Sequence, residues 1–294
     1  MEEFMSKIKV KTFYDSPTFT LTYLVYDENT SDAVIIDPVL NYDAASSTLS
    51  TESLIELQSF IQDNQLSPKM VLETHAHADH ISSSSHLKKI YPGVKLGAGS
   101  GIVKVQEVFK SAFNLEFLKA DGSQFDLLLE DGQVIQAGSV AIKTISTPGH
   151  TPACVSFLIE DMVFSGDALF MPDYGTGRCD FPEGSAADLY ESIHNKLYAL
   201  PEETRVFVGH DYQPGGRELK YETTIKESRQ TNIQLKAETT KEEFVTFRTN
   251  RDAGLNAPKL LLPSIQININ AGELPPAETN GMSYLKIPVN FKGK

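Results

Sequence analysis

Four short polar segments that follow apolar, strand-like runs constrain this chain more than any other feature of its sequence. They read THAHADH, STPGHT, FSGDALF and FVGHDY, and each contains histidine or aspartate. One histidine after a strand is usually incidental, but strand ends deliver side chains to one rim of a sheet, where ligand sites form. Four such segments therefore predict that distant parts of the chain meet at one polar site.

The first segment is the densest, because it places four donors on one tight turn: His75, His77, Asp79 and His80. The chain has only seven histidines in 294 residues, so three within this turn need a shared reason. Such donors cannot pack in an apolar core without partners. Imidazole and carboxylate groups suit zinc, iron and manganese. The turn therefore predicts a metal site.

Three further donors each follow a glycine in the other segments: His150, Asp167 and His210. Glycine allows a sharp turn that aims the next side chain inward. Together with His75, the pair His150 and Asp167 gives the strongest indication of a metal centre.

Other histidines and the cysteines have simpler interpretations. His77 or His80 alone could cap a helix or support a ligand from behind, and His86 and His194 are interpreted as ordinary helix residues. The two cysteines of the chain do not make a disulfide framework, so they are expected to be reduced thiols. Cys154 lies within a predicted strand and is expected to be buried and inert.

The pattern between the polar segments predicts α/β organisation. Strands are expected within 8–37, over 69–74 and within 133–145, and a hairpin joins 153–160 to 162–165. Helices are expected over 51–64, 81–90 and 187–200 and within 220–250. The tail from residue 257 contains several prolines and is expected to be irregular and packed over the body.

Composition and missing motifs exclude several classes of protein. The net charge of -13 argues against a nucleic acid or an anionic membrane as the main partner. No apolar run of about 18 residues and no secretory leader are visible, so a cytoplasmic protein that does not enter a membrane is expected. Neither GxSxG nor GxxxxGK[ST] occurs, which argues against a serine hydrolase and a P-loop enzyme.

The order HxHxDH, TPGHT, SGD and GHD resembles the metallo-β-lactamase superfamily over roughly residues 8–212. That resemblance implies an αββα sandwich, in which two mixed β-sheets lie face to face, helices flank them and metals bind at one edge. It also implies one domain over 1–294, with a core at about 8–212. Residues 213–294 are then a helical and irregular extension packed on the body.

One branch of the superfamily, the glyoxalase II type, hydrolyses a glutathione thioester with two metals, here two Zn(II). Its motifs map the first metal to His75, His77 and His150. The second metal maps to Asp79, His80 and His210, with Asp167 bridging. A bridging hydroxide would be the nucleophile.

The other branch, the persulfide (sulfur) dioxygenase type, is favoured by three features. GRCDF resembles a signature of that type, GHDY is followed by an arginine, and the tail resembles that of bacterial β-lactamase-like sulfur dioxygenases. The resemblance implies one Fe(II) per chain on His75, His150 and Asp167. The remaining donors would surround these ligands. Glutathione persulfide, or a related small persulfide, and O2 would give sulfite and glutathione.

Glutathione carries two carboxylates, so its binding requires cationic partners. The candidate substrate-binding residues are Tyr212, Arg217, Arg178, Met282, Ser283 and Lys286. Arg178 could instead form a structural ion pair with Asp180 or Asp173, and Arg217 and Lys286 could be solvated surface residues. A homodimer is expected on general grounds. A non-enzymatic metal-binding or sulfide-sensing protein is the third interpretation.

Overall fold

The first half of the chain forms a six-stranded mixed sheet in the computed structural model, which describes residues 7–290. Its strands, in spatial order, are β1 (Ile8–Asp15), β2 (Thr20–Asp27), β3 (Asp32–Ile36), β6 (Ser67–Glu73), β8 (Lys95–Gly99) and β9 (Leu127–Leu129). The first three pair antiparallel, and β3, β6, β8 and β9 run parallel to one another. The carboxyl ends of β3 and β6 therefore meet at the same edge.

The second half forms another six-stranded mixed sheet. Its strands are β10 (Val134–Ala137), β11 (Val140–Ser146), β12 (Val155–Ile159), β13 (Met162–Phe164), β14 (Arg205–Phe207) and β15 (Glu222–Thr224). Only β13 and β14 are parallel neighbours, and the predicted hairpin is present as β12 and β13. A small third sheet has the order β5 (Thr48–Ser50), β4 (Val39–Asp43) and β7 (Ile81–Ser82).

Seven α-helices complete the described part of the chain. They are α1 (Glu52–Asp63), α2 (Ser84–Ile90), α3 (Ile102–Phe113), α4 (Ala186–Glu191), α5 (Ile225–Thr231), α6 (Lys241–Asp252) and α7 (Leu261–Asn268). A π-helical segment, Ser192–Leu197, continues α4, and a short 3-10 turn covers Pro214–Gly216. Within 7–290, none of these helices has the length and apolar character that crossing a bilayer requires.

The alternation of side chains along β2 shows how the layers pack. Tyr23 and Val25 point into the core between the two sheets, where the Tyr23 ring lies 5.2 Å from that of Phe164 in the opposite sheet. Leu24 points the other way, into a second core that includes Leu57 of α1. Because successive strand residues face opposite sides, one sheet contacts both its partner sheet and the outer helices. The predicted αββα sandwich is confirmed.

Three predicted elements differ from the structure. Residues 81–90 are the short strand β7 followed by α2, and residues 220–250 contain β15, α5 and part of α6. The tail is not wholly irregular, because it contains α7. Pro263 lies in the first turn of that helix, where backbone N–H groups have no helical acceptor, so proline is tolerated there.

Candidate metal centre

The ends of four strands bring the polar segments to one edge of the sandwich. Strand β6 ends at Glu73 and continues directly into the histidine-rich turn. In the second sheet, β11, β13 and β14 all run in the same direction, because β12 is antiparallel to both of its neighbours. Their carboxyl ends lead into the turns that carry His150, Asp167 and His210. The predicted convergence is therefore present.

His75, His150 and Asp167 form the first group of donors. All three are buried, and one ligand atom of each lies within 4.8 Å of the others. The Nε2 atom of His150 is 3.6 Å from Oδ2 of Asp167. The rings of His75 and His150 meet edge to face, with centroids 5.0 Å apart. Three donors from three separate segments thus surround one small volume.

His77, Asp79 and His80 form a second group, whose ligand atoms also lie within 4.8 Å of one another. His210 joins the two groups, because its Nε2 atom is 3.3 Å from Oδ2 of Asp79 and 3.3 Å from Oδ1 of Asp167. All seven predicted donors therefore gather at one edge. The two groups are in contact, because the ring centroids of His75 and His77 are 4.1 Å apart.

Several buried donor atoms lack hydrogen-bond partners within residues 7–290: Nε2 of His75, Nδ1 of His77, Nε2 of His80 and Oδ1 of Asp167. Buried polar atoms without partners are rare in folded proteins. His210 lies near Oδ1 of Asp167 at ion-pair distance without hydrogen-bond geometry. Lone pairs of imidazole and carboxylate directed into one buried volume fit a transition-metal cation.

Each ligand-type histidine is anchored through its other ring nitrogen. The Thr74 hydroxyl donates to Oδ2 of Asp37 at 2.8 Å and so accepts from Nδ1 of His75 at 3.0 Å. Nδ1 of His150 donates to the Arg178 carbonyl at 2.7 Å. Such contacts fix the tautomer and leave the opposite nitrogen available to a metal. Comparable contacts join His210 to the Phe19 carbonyl and His80 to Thr20.

A buried acidic pair that the sequence analysis did not identify holds His77. Its Nε2 atom donates to Oδ1 of Asp37 at 3.1 Å and to Oε2 of Glu73 at 3.2 Å. The other Glu73 oxygen accepts hydrogen bonds from Ser82 and Ser84. Burial lowers the pKa of His77, but Asp37 and Glu73 outweigh it and raise the pKa well above its ordinary value.

The tail also supports the histidine-rich turn through a residue that sequence reasoning missed. The amide of Asn268, at the end of α7, donates to the carbonyls of His77 and His80 at 2.8 and 2.7 Å, and its oxygen accepts from Ser82 N. Nothing in the local sequence indicates this long-range contact. For Asp37 a signal was available, because it ends the apolar run AVIID as the other polar segments end theirs.

Two glycines are required for the turns that carry His150 and Asp167. Gly149 has a φ of +143°, and a Cβ atom there would lie 2.4 Å from Leu189 backbone atoms. Gly166 has a φ of +50°, and its Cβ would lie 2.5 Å from Oγ1 of Thr74. Only glycine combines these backbone angles with such close packing.

The surroundings shift two of the donors, His75 and Asp79, toward the forms that bind metals. Burial, together with His77 and His150, lowers the pKa of His75 well below its ordinary value, so its ring is neutral. Burial alone would raise the pKa of Asp79, but His210 and His80 lower it well below the ordinary value. A neutral imidazole and an ionised carboxylate are the states in which these groups coordinate a cation.

An open cavity of about 330 Å³ exposes His150, Asp167 and Asp79. Its volume falls within the range of about 300–1,000 Å³ that is usual for small-molecule sites. Tyr212 and Arg178, two of the predicted substrate residues, also line it. The Arg178 side chain is held by Asp180 at 2.5 and 2.7 Å, which is the predicted ion-pair alternative.

The remaining predicted substrate residues are placed elsewhere. Arg217 is held by two carboxylates, those of Asp173 and Asp211. Ser283 donates to the Pro275 carbonyl, Lys286 donates to the Asn114 carbonyl at the end of α3, and Met282 is exposed. None of Arg217, Met282, Ser283 and Lys286 lines the cavity within the described chain. Nearer partners hold Arg217, Ser283 and Lys286, and the side chain of Met282 is exposed. Substrate contacts of these four residues stay a prediction.

Comparison with known proteins agrees with this arrangement. Residues 15–210 match the family model described as the metallo-beta-lactamase superfamily. A protein of Dictyostelium discoideum named Glyoxylase B2 is 50% identical over 288 residues, which cover 97% of this chain and 98% of that protein. Human mitochondrial persulfide dioxygenase ETHE1 is 34% identical over 86% of this chain and 83% of its own length.

A solved structure is similar over a comparable span. The crystal structure of ETHE1 from Myxococcus xanthus matches with a TM-score of 0.73 and 30% identity, and the match covers 90% of this chain and all of that one.

Proposed function

Because the chain belongs to the metallo-beta-lactamase superfamily, we propose that it oxidises a small persulfide with dioxygen at a single iron ion. The substrate class is glutathione persulfide or a related thiol persulfide. Glutathione persulfide, dioxygen and water would give glutathione, sulfite and two protons. Similarity to the human protein named persulfide dioxygenase ETHE1, and to the protein named ETHE1 from Myxococcus xanthus, supports this proposal.

One observation carries the proposal: His75, His150 and Asp167 converge as a buried group beside an open cavity. Two histidines and one carboxylate are the protein ligands of many non-haem Fe(II) oxygenases. Three protein ligands would leave room at an iron ion for substrate and dioxygen. His150 and Asp167 line the cavity from which both would enter. Bound iron would supply the redox chemistry.

The surrounding residues would position and tune these three ligands. The chain from Asp37 through Thr74 fixes the ring of His75, and the Arg178 carbonyl fixes His150. The Nε2 atom of His210 lies 3.3 Å from Oδ1 of Asp167, and this contact would limit the rotation of the carboxylate. Such contacts hold ligands in place and adjust their basicity.

Tyr212 is proposed to donate a hydrogen bond within the cavity. Burial, with the nearby carboxylates of Asp167 and Asp79, raises the pKa of Tyr212 well above its ordinary value. Its phenol therefore stays protonated throughout the physiological pH range. The ring stacks on Tyr174, with centroids 4.7 Å apart, which limits its rotation.

A hydrolase with two metals is the second candidate. It is favoured by the unpartnered Nδ1 of His77 and Nε2 of His80, which would suit a second ion, and by the name of the Dictyostelium relative. In that function the substrate would be a glutathione thioester and no oxygen would be consumed.

Two assays, on two metal-loaded forms of the same apoprotein, separate the candidates. Protein loaded anaerobically with Fe(II) is given glutathione persulfide in an oxygen electrode, and protein loaded with Zn(II) is given S-lactoylglutathione. The proposal expects oxygen uptake with one sulfite formed per O2, and little thioester hydrolysis. Rapid thioester hydrolysis without oxygen uptake by either form would reject it.

A further inference from the structure

Four cationic side chains line the cavity that exposes His150, Asp167 and Asp79, although the chain carries an excess of 13 negative charges. They are Arg178, Arg248, Arg251 and Lys259. Two are neutralised by neighbours, because Arg178 pairs with Asp180 and Arg248 pairs with Asp252. Those two therefore have structural roles.

The other two cations, Arg251 and Lys259, have no such neutralisation. Within residues 7–290, no carboxylate oxygen lies within 4.0 Å of either charged group. Both side chains are solvent-exposed but contribute to the cavity wall. Positive charges that face a cavity without an internal counter-ion are available to an anionic ligand.

The helix that carries Arg251 is fixed, so the side chain is presented from a rigid element. Arg248, one turn earlier, is only 1% exposed and binds Asp252, Thr176 and Gln234. A capping box between Thr240 and Glu243 closes the other end of α6. A ligand bound by Arg251 would therefore not have to order the helix itself.

Tyr174 connects this cationic wall to the candidate reaction centre. Burial raises the pKa of Tyr174, and the adjacent Arg251 guanidinium opposes that shift. The ring of Tyr174 stacks on Tyr212, whose own ring centroid is 5.6 Å from that of His210. These residues share one cavity with His150 and Asp167, so one ligand has access to the cations and to these two donors.

We propose that Arg251 and Lys259 bind the carboxylates of a thiol-derived substrate and so select anionic persulfides over neutral ones. This inference rests on the proposed function for the persulfide as the reacting group. The binding of the carboxylates does not depend on it. A carboxylate held by these cations leaves the sulfur end of the same molecule free to reach His150 and Asp167. Arg251 and Lys259 are specificity residues in this account, because they do not touch the reacting sulfur.

Binding of S-methylglutathione, which has the carboxylates but no persulfide, tests the inference without any reaction. Calorimetry compares the wild-type protein with the double variant R251Q/K259Q, and K143Q serves as the matched control because Lys143 is exposed on β11 and does not line the cavity. We expect the double variant to bind at least ten-fold more weakly and K143Q to bind as the wild type does. The dimethyl ester of the ligand should bind weakly to all three.

Equal affinity in the wild type and the double variant would overturn the inference, as would ester binding as tight as acid binding or no binding to the wild type. Oxygen uptake tests the proposed function separately. A charge-dependent affinity in a protein that consumes no oxygen would leave the anion site standing and reject the dioxygenase. Oxygen uptake with an unchanged KM for glutathione persulfide in R251Q/K259Q would support the dioxygenase and reject the anion site.

Discussion

The Nε2 atom of His150 lies 3.6 Å from Oδ2 of Asp167, although the two residues follow different strands of the second sheet. Both side chains are at least nine-tenths buried. With His75 beside them, they form a three-donor group that depends on the packing of one sheet on the other. Metal binding and folding are therefore expected to be linked in this protein.

Replacing His150 with alanine is expected to lower iron retention more than ten-fold, because it removes one of three ligands while the backbone turn stays in place. Iron content after dialysis against a chelator is the measurement. His86→Ala is the control, since His86 lies on α2 outside both donor groups. Equal iron content in His150→Ala and the wild type would contradict the ligand assignment.

Gly166→Ala is expected to destabilise the protein and to weaken metal binding. Its Cβ would lie 2.5 Å from the Thr74 hydroxyl that anchors His75, and the positive φ adds strain of about 1–3 kcal/mol. Gly132→Ala is a matched control, because Gly132 also has a positive φ but has no atom within 4 Å of the new Cβ. Urea unfolding and iron content should show the larger loss in Gly166→Ala. Identical losses in both variants would mean that the contact with Thr74 is unimportant.

The buried pair of Arg248 and Asp252 offers a test of stability away from the metal donors. Asp252→Ala leaves a buried guanidinium without its carboxylate, which is expected to reduce the free energy of unfolding by about 3–5 kcal/mol. Glu222→Ala removes the carboxylate from the more exposed pair with Arg205 and should change it by less than about 1 kcal/mol. A chemical denaturation series would measure both. Similar values for the two variants would argue against the role of burial.

The donor residues were predictable from the sequence because each lies in a short segment after an apolar strand. HAHADH and the glycine before each later donor are local patterns, and strand direction then places them at one edge. The residues that hydrogen-bond to the donor-bearing turn were harder to predict from the sequence. Glu73 ends an apolar strand and so carries the same signal as Asp37, whereas Asn268 reaches the site only through the packing of α7 and has no local signature.

Substrate residues were the least predictable part. The charge of Lys286 and its position in the tail predict a substrate contact, but the side chain points to the end of α3, where it donates to the Asn114 carbonyl. Arg251 and Lys259 line the cavity, yet they occur in a charged helix and a proline-containing loop whose sequence resembles an ordinary solvated surface. Charge alone does not reveal whether a partner is nearby, and that depends on tertiary contacts.

Both thiols are expected to be unreactive in the folded protein. Burial raises the pKa of Cys154 to about 12 and also raises the pKa of Cys179, so at pH 8 both are protonated. Because the thiolate is the reactive form, iodoacetamide at pH 8 should modify neither thiol within an hour. Mass spectrometry with and without urea is the measurement, and the unfolded chain should take up two labels. Rapid labelling of Cys154 in the native protein would show that its environment differs from this account.

The most direct test of the central claim is anomalous X-ray diffraction at the iron edge, on crystals of protein reconstituted anaerobically with Fe(II). We expect one iron peak per chain, within bonding distance of Nε2 of His75, Nε2 of His150 and a carboxylate oxygen of Asp167. Two metal peaks, one of them held by Asp79, His80 and His210, would contradict it and favour the hydrolase.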